Sequence, residues 1–220
     1  MNPKAPQILN DIVDALSISK LKAVTENTEG RVNSKKDEDK IIAWLMKQPQ
    51  FEGKIHDSSL RGFGDMEVID GDTRHVVNIK TSIGSSDNAF SKLGILWALT
   101  DLTMKDFEEL KISKKISDEK FAELILKHKK ETERDYWFLT LDKNDFSHVM
   151  VRGVKQITNW GKNPTNNLQI QWNKEHKCDP GNRDFDEVFE DVITDGVFYC
   201  WETKAKQWKS AIAHRNAVNA

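Results

Sequence analysis

The chain has 220 residues, enough for one α/β domain with its own core, and its 31% charged and 38% apolar content is polar for a globular protein without reaching the composition of disorder. A net charge of −2 excludes a globally basic nucleic-acid binder, so any phosphate-binding surface must be local. No apolar run approaches the roughly eighteen residues that span a bilayer, and the start lacks a basic-then-apolar leader, so a cytoplasmic protein without a membrane partner is expected.

In chain order, apolar spacing at Ile8, Ile12, Val13, Leu16 and Leu21 predicts a helix over residues 6–24. A second is predicted over Lys36–Lys47, with Ile41, Ile42, Trp44 and Leu45 on its buried side and Asp37, Glu38 and Asp39 in its first turn, ended by Gln48-Pro49-Gln50. A strand-rich centre begins near Arg61, and Phe90, Leu93, Leu96 and Trp97 mark a helix over Phe90–Leu102. Residues 105–131 read as charged helical segments in an exposed insertion or outer layer. Asp135–Leu141, Ser147–Val151 and Asn167–Trp172 read as strands, the first a buried apolar run. Lys162–Asn167 is a loop by composition, and Phe185–Val192 a helix. The basic clusters at residues 35–36, 111–115 and 127–130 fit solvated faces better than phosphate contacts. His176 and Cys178 make a poor zinc pair without further ligands, and Cys178 and Cys200 are expected as thiols. No linker or repeat divides the chain, so residues 1–220 are expected to form a single domain, a mixed central β-sheet flanked by helices.

The informative stretch runs from Gly64 to Thr81. Two runs rich in Val, Ile and Met flank Asp70-Gly71-Asp72-Thr73, which reads as a β-hairpin. With Gly71-Asp72 as a two-residue turn, Asp65 falls opposite Asn78, and alternation puts Asp65, Glu67, Asn78 and Lys80 on one face and Met66, Val68, Val77 and Ile79 on the other. A three-residue turn would slip the register and scatter these groups. Oxygen ligands gathered at one point can hold Mg²⁺ against a phosphate, and an ammonium group nearby can orient the attacking water. The plain alternative is a half-exposed hairpin with a mixed-charge solvent face.

Gly64-Asp65 followed by Asn78-Ile79-Lys80 resembles the signature of the PD-(D/E)XK nuclease superfamily. Asp65-Met66-Glu67-Val68, the thirteen-residue step to Asn78, and Val76-Val77-Asn78-Ile79-Lys80-Thr81 resemble the active-site hairpin of the EcoRV-like, blunt-cutting type II restriction endonucleases. The likeness continues through Ser82–Asn88, Ser91-Lys92-Leu93, Tyr136–Leu141 and Asn163–Gln171, spanning roughly residues 61–175. It implies a restriction-endonuclease-like fold and Mg²⁺-dependent hydrolysis of double-stranded DNA by a homodimer, one half-site per subunit. Asp65, Asn78 and the main-chain oxygen of Ile79 would hold the metal, and Lys80 would serve the water. It also implies groove contacts from the segment bearing Ser85, Ser86, Asn88 and Lys92 and from the later loop and strand bearing Asn163, Asn166, Gln169 and Gln171.

The chain departs from the family at Asn78, where a second metal-binding carboxylate is the rule. An amide oxygen can ligate Mg²⁺ without the charge that gives such a site most of its affinity. Either this is a native variant that recruits Glu67 or another carboxylate, or an introduced Asp-to-Asn replacement that traps a DNA complex. Glu38 could present a helical carboxylate to the site, as in some relatives, or simply favour a helix N-terminus. A repair or mobile-element nuclease, or a DNA-binding module that no longer cleaves, are the rival functions.

Overall fold

The computed structural model describes residues 2, 4–23, 30–57, 63–82, 88–89, 91–112, 116–142, 146, 148–163, 167–181 and 183–218, with backbone alone at 30–32, 82, 88–89, 167–168 and 213–218. The helices are α1 (Gln7–Ser17), α2 (Gly30–Leu45), α3 (Lys92–Leu99), α4 (Met104–Glu109), α5 (Asp118–His128), α6 (Trp172–Glu175), α7 (Phe185–Asp191) and α8 (Tyr199–Val218), with a π-helical stretch Val192–Phe198 between the last two. The strands are β1 (Ile55–Asp57), β2 (Met66–Asp70), β3 (Thr73–Ser82), β4 (Asn88–Ala89), β5 (Tyr136–Asp142), β6 (Val149–Gly153), β7 (Trp160–Asn163) and β8 (Asn167–Ile170).

A five-stranded sheet in the order β1-β2-β3-β5-β6 forms the centre, and a second, small sheet runs β4-β8-β7. In the large sheet only β3 and β5 run parallel; the other pairs are antiparallel. A parallel pair needs a long crossover, which the segment carrying α3, α4 and α5 supplies. Both faces of the sheet are covered. Met66, Val68, Val77, Ile79, Leu139 and Leu141 pack against Ile8, Ile12 and Leu16 of α1 and Ile41 and Leu45 of α2. On the other face Val76, Tyr136, Phe138 and Met150 pack against Leu93, Leu96 and Trp97 of α3, Phe121 and Ile125 of α5, and Val188 of α7. Burial on both sides is why β5 reads as an unbroken apolar run.

The mixed sheet flanked by helices matches the sequence expectation, with corrections at the edges. The first helix stops at Ser17, and the second begins at Gly30 rather than Lys36. Helix α3 is shorter than predicted because Ser91 caps it, its Oγ accepting the Gly94 N–H at 3.2 Å. The described parts of the charged segment 105–131 form an outer layer, since Phe107, Phe121, Leu124 and Ile125 are buried while most of its described charges, Asp118 apart, are exposed. Trp172 opens a short helix instead of closing a strand, and the start of the expected loop, Lys162-Asn163, ends β7. Trp44 is only partly buried at the margin of the core. No disulfide joins Cys178 and Cys200, and no helix among the described residues is long and apolar enough to cross a membrane.

Two local features fix the layer over β5. A Cβ on Gly94 would lie 2.6 Å from the Tyr136 ring, so the absence of a side chain lets α3 rest directly on the strand. Asp118, at the start of α5, takes Lys92 of α3 at 2.6 Å and Lys204 of α8 at 2.5 Å. Burial alone would raise the Asp118 carboxyl, but hydrogen bonds from Lys204 and Lys92 outweigh it and hold the group at about 2, below its ordinary 3.8. A depressed carboxyl stabilises the fold above its unfolded pKa and loses that contribution as pH falls through the folded one. Asp118→Asn should therefore destabilise the protein by about 1 kcal/mol at neutral pH, the solvent-screened value for a partly exposed network. Melting curves of both proteins should converge as pH falls from 3.8 to about 2; a constant gap would separate the effect from the charge.

Candidate active site

The hairpin turn comes first, because it sets which side chains meet. Gly71 has φ of 58°, and pairs run from Asp70↔Thr73 through Met66↔Val77 in unbroken register. A positive φ at the first of two turn residues is the glycine position of a II′ turn. That is the register the sequence predicts, and it ends at Met66↔Val77, one residue short of the expected Asp65–Asn78 pair.

Asp65 leaves the ladder at a bend. Its N–H donates to the Val77 carbonyl at 2.9 Å, and its Oδ2 accepts the Ile79 N–H at 2.8 Å. The residue thus brackets Asn78 from both sides, holding the carboxylate against β3 just before β2 begins. Asn78 is 8% exposed, and its Oδ1 is buried with no hydrogen-bond partner. Tyr136 lies behind it, donating its hydroxyl to the Phe63 carbonyl at 2.9 Å. Burial, and then the Asp65 charge, push this phenol well above its ordinary range, against hydrogen bonds from Ser91 and Asn78. A neutral donor-acceptor seam therefore underlies the two oxygen-bearing residues.

The face that alternation made polar is partly covered: Val76 joins the core, and Glu67 is 7% exposed beside Arg74 at 3.4 Å. The half-exposed mixed-charge hairpin is met only in part, since Glu67 and Asn78 are buried while Asp65 and Lys80 are half-buried and Arg74 is exposed. Glu67 stands opposite Val76, and its pairing to Arg74 draws it toward the hairpin turn and away from Asn78, which makes it a poor substitute for a missing carboxylate at position 78.

Helix α2 brings a second carboxylate. Glu38 is held above the usual carboxyl range by burial and then by the Asp65 charge, while Lys80 and Lys35 pull it down. Asp65, Glu38 and Lys80 thus share one electrostatic field. Lys80 is half-buried and pairs in register with Thr140 of β5, whose Oγ1 lies 3.1 Å from His176 Nε2. The histidine is kept below its ordinary pKa by burial and by the Arg152 and His148 charges. Sequence spacing offers His176 only as half of an improbable zinc pair; its place beside Thr140 depends on a fold contact 36 residues apart.

Among the described residues no group of three or more His, Cys, Asp or Glu side chains gathers as a metal centre. What is present is two carboxylates and one amide, and the orphaned Asn78 oxygen beside Asp65 fits a hard cation that takes oxygen ligands. The Ile79 N–H is used by Asp65, leaving its carbonyl as the candidate third oxygen.

The predicted groove residues divide. Asn88, Asn163 and Gln169 come together in the small sheet: Asn88 pairs with Ile170, Gln169 with both Ala89 and Gly161, and Asn163 with Asn167. The two segments expected to approach DNA separately are thus one structural unit. Gln171 adjoins it, its N–H bonded to the Asn159 carbonyl at 3.0 Å and its Nε2 over Gly161, where a Cβ would approach to 3.0 Å. Lys92 is instead committed to Asp118 and to the Ile116 carbonyl at 3.0 Å. Ser85, Ser86 and Asn166 lie outside the described residues.

No family model matches the chain, and no curated protein matches it.

Raising a carboxyl's pKa means the folded state resists its charge, so its contribution to stability is greatest below the unfolded pKa and is lost as pH rises through the folded one. Glu38→Gln should accordingly stabilise the metal-free protein at neutral pH by less than about 1 kcal/mol, because the group is partly solvated, and so raise its melting temperature slightly. The gain should disappear below about pH 4, where both states carry a proton. A variant that melts lower at neutral pH would show that Glu38 does not feel the Asp65 charge.

Proposed function

We propose that the protein is a Mg²⁺-dependent endonuclease acting on double-stranded DNA, of the type II restriction kind, working as a homodimer on a palindromic site. The observation that supports this reading is that Asp65 bonds the Val77 carbonyl and the Ile79 N–H on either side of Asn78, with Lys80 two residues on and Glu38 of α2 within the field of Asp65 and Lys80. The resemblance of Gly64–Thr81 to the active-site hairpin of the EcoRV-like endonucleases supports the same chemistry.

Asp65, the Asn78 amide oxygen and the Ile79 carbonyl would hold the metal. When bound, Mg²⁺ supplies charge neutralisation at the scissile phosphate and lowers the pKa of a coordinated water. Asp65 is pre-positioned for its part, because the Ile79 N–H fixes the carboxylate before any ligand arrives. Lys80 stands on the same face and orients the attacking water while balancing charge that grows on the phosphate. Glu38, with its elevated pKa, is suited to take up a proton near the site. The small sheet bearing Asn163 and Gln169 offers amides that can pair with base edges, the symmetric copy reading the other half-site. One further reading has its own support: the amide at position 78 lacks a carboxylate's charge, which favours a protein that binds its site and cuts slowly or not at all.

The test compares cleavage of plasmid DNA in Mg²⁺ by the protein, Asn78→Asp and Lys80→Ala. Restoring the charge should accelerate cleavage on the order of a hundredfold, the effect of a few kcal/mol at the transition state. Lys80→Ala, added to Asn78→Asp, should remove cleavage while leaving DNA binding within a few-fold. Discrete blunt fragments support restriction, random nicks a repair role, and binding without cutting by both Asn and Asp forms the binding module. Asn163→Ala should weaken a cognate site by roughly 1–3 kcal/mol relative to random duplex; equal losses on both would make it a backbone contact.

A further inference from the structure

The last helix departs from the rest of the molecule in both exposure and charge. At 20 residues α8 is about 30 Å long. Its first turns are anchored: Cys200 is buried, Trp201 packs at the margin of the core, and Lys204 holds Asp118. From Ala205 to Ile212 every side chain is exposed, on all sides of the helix. Within that stretch Trp208 is 72% and Ile212 54% exposed, continuing the stripe begun by Trp201 and Ala205.

Charge identifies what such a face accepts. Residues 204–215 carry Lys204, Lys206, Lys209 and Arg215 and no acidic residue, so the rest of the chain holds 29 basic against 35 acidic side chains. A second copy of the same helix would bring like charges together along the stripe, which opposes self-pairing. A polyanion is favoured, and the foot of the helix indicates which one. Lys162, one residue before Asn163, bonds Asp195 at 2.7 Å and lies 5.7 Å from the Tyr199 ring, so α8 rises from the same hairpin that carries the candidate base-reading amides.

We propose that α8 is a DNA-backbone-binding arm lying in a groove, in which Lys206 and Lys209, one turn apart, contact the phosphates of one strand and Trp208, on a different side of the helix, lies against the sugar edge of the facing strand. It rests on the DNA-binding half of the proposed function and not on cleavage. The arm supplies locally the positive surface that the overall charge denies, as affinity for DNA is dominated by its charged backbone. Because Lys204 and Trp201 fix its base, the exposed turns keep a set direction from the hairpin rather than swinging free.

The experiment measures anisotropy of a short labelled duplex, and of the corresponding single strand, with the full chain in EDTA over a range of salt. Variants are Lys206→Glu/Lys209→Glu and Trp208→Ala, with circular dichroism to verify folding at these exposed positions. The charge-reversal variant should bind duplex at least about tenfold more weakly and lower the slope of log K against log salt by about two, one for each phosphate that the lysines no longer neutralise. Trp208→Ala should weaken binding with the slope unchanged. Unaltered affinity and slope in the double variant overturn the arm, as does a wild-type chain that binds no DNA. A preference for the single strand that disappears in Trp208→Ala would overturn the duplex assignment, by making the tryptophan a stacking platform. Binding to phosphatidylserine vesicles that the double variant loses while keeping DNA affinity, or a dimer that Trp208→Ala dissolves without effect on DNA, overturns it in favour of a membrane or a second copy. If Asn78→Asp does not cleave but DNA binding still depends on α8, the catalytic reading falls and the arm stands; if it cleaves and the α8 variants bind normally, the reverse holds.

Discussion

Everything at the candidate site depends on the register between β2 and β3. Side chains alternate with a period of two, so a slip of one residue would send Met66, Val68, Val77 and Ile79 out of the α1–α2 core and turn the polar set into it. The two-residue turn at Gly71-Asp72 prevents that slip locally, and the apolar face enforces it globally. Asp65 then converts register into position. Just before β2 begins, its carboxylate takes the Ile79 N–H that a further strand residue would have satisfied, so the ladder terminus and the candidate ligand carboxylate are the same group.

Burial of the second face changes what the polar residues can do. A solvated Asn or Glu would cost nothing there, but a buried amide oxygen without a partner costs about 1–3 kcal/mol if it stays dry. Asn78 Oδ1 is in that condition next to Asp65, above a Tyr136 hydroxyl that is already donating to Phe63. The strand therefore carries a local penalty at Asn78 that a ligand with positive charge would offset. Glu38 adds to the same penalty, since its own charge is opposed by burial and by Asp65. This end of the sheet therefore gives up some stability to keep two oxygen-bearing groups close together.

The remainder of the molecule holds two supports on either side of that centre. The small β4-β8-β7 sheet pairs Asn88-Ala89, which follow Lys80 in the chain, with β8, and β8 with the strand ending in Asn163, so the candidate base-reading amides share one sheet. The Lys92–Asp118–Lys204 cluster ties α3 and α5 to the base of α8. Lys92, which the sequence suggested as a groove contact, is consequently used to hold helices together, while Lys206 and Lys209 much later in the chain stand exposed.

By itself the sequence determined the local and periodic features: a hairpin turning at Gly71-Asp72, the core face of Met66, Val68, Val77 and Ile79, the buried run of β5, and a mixed sheet with helices. These follow from turn chemistry and from short-range alternation, which one stretch of chain contains in full. Tertiary structure alone decided that the polar face is partly covered, that Glu67 turns to Arg74, that Glu38 feels Asp65, that His176 meets Thr140 and that Lys92 belongs to Asp118. Each of these joins groups from elements whose relative placement depends on how layers pack, and alternation says which way a side chain points but not what closes over it.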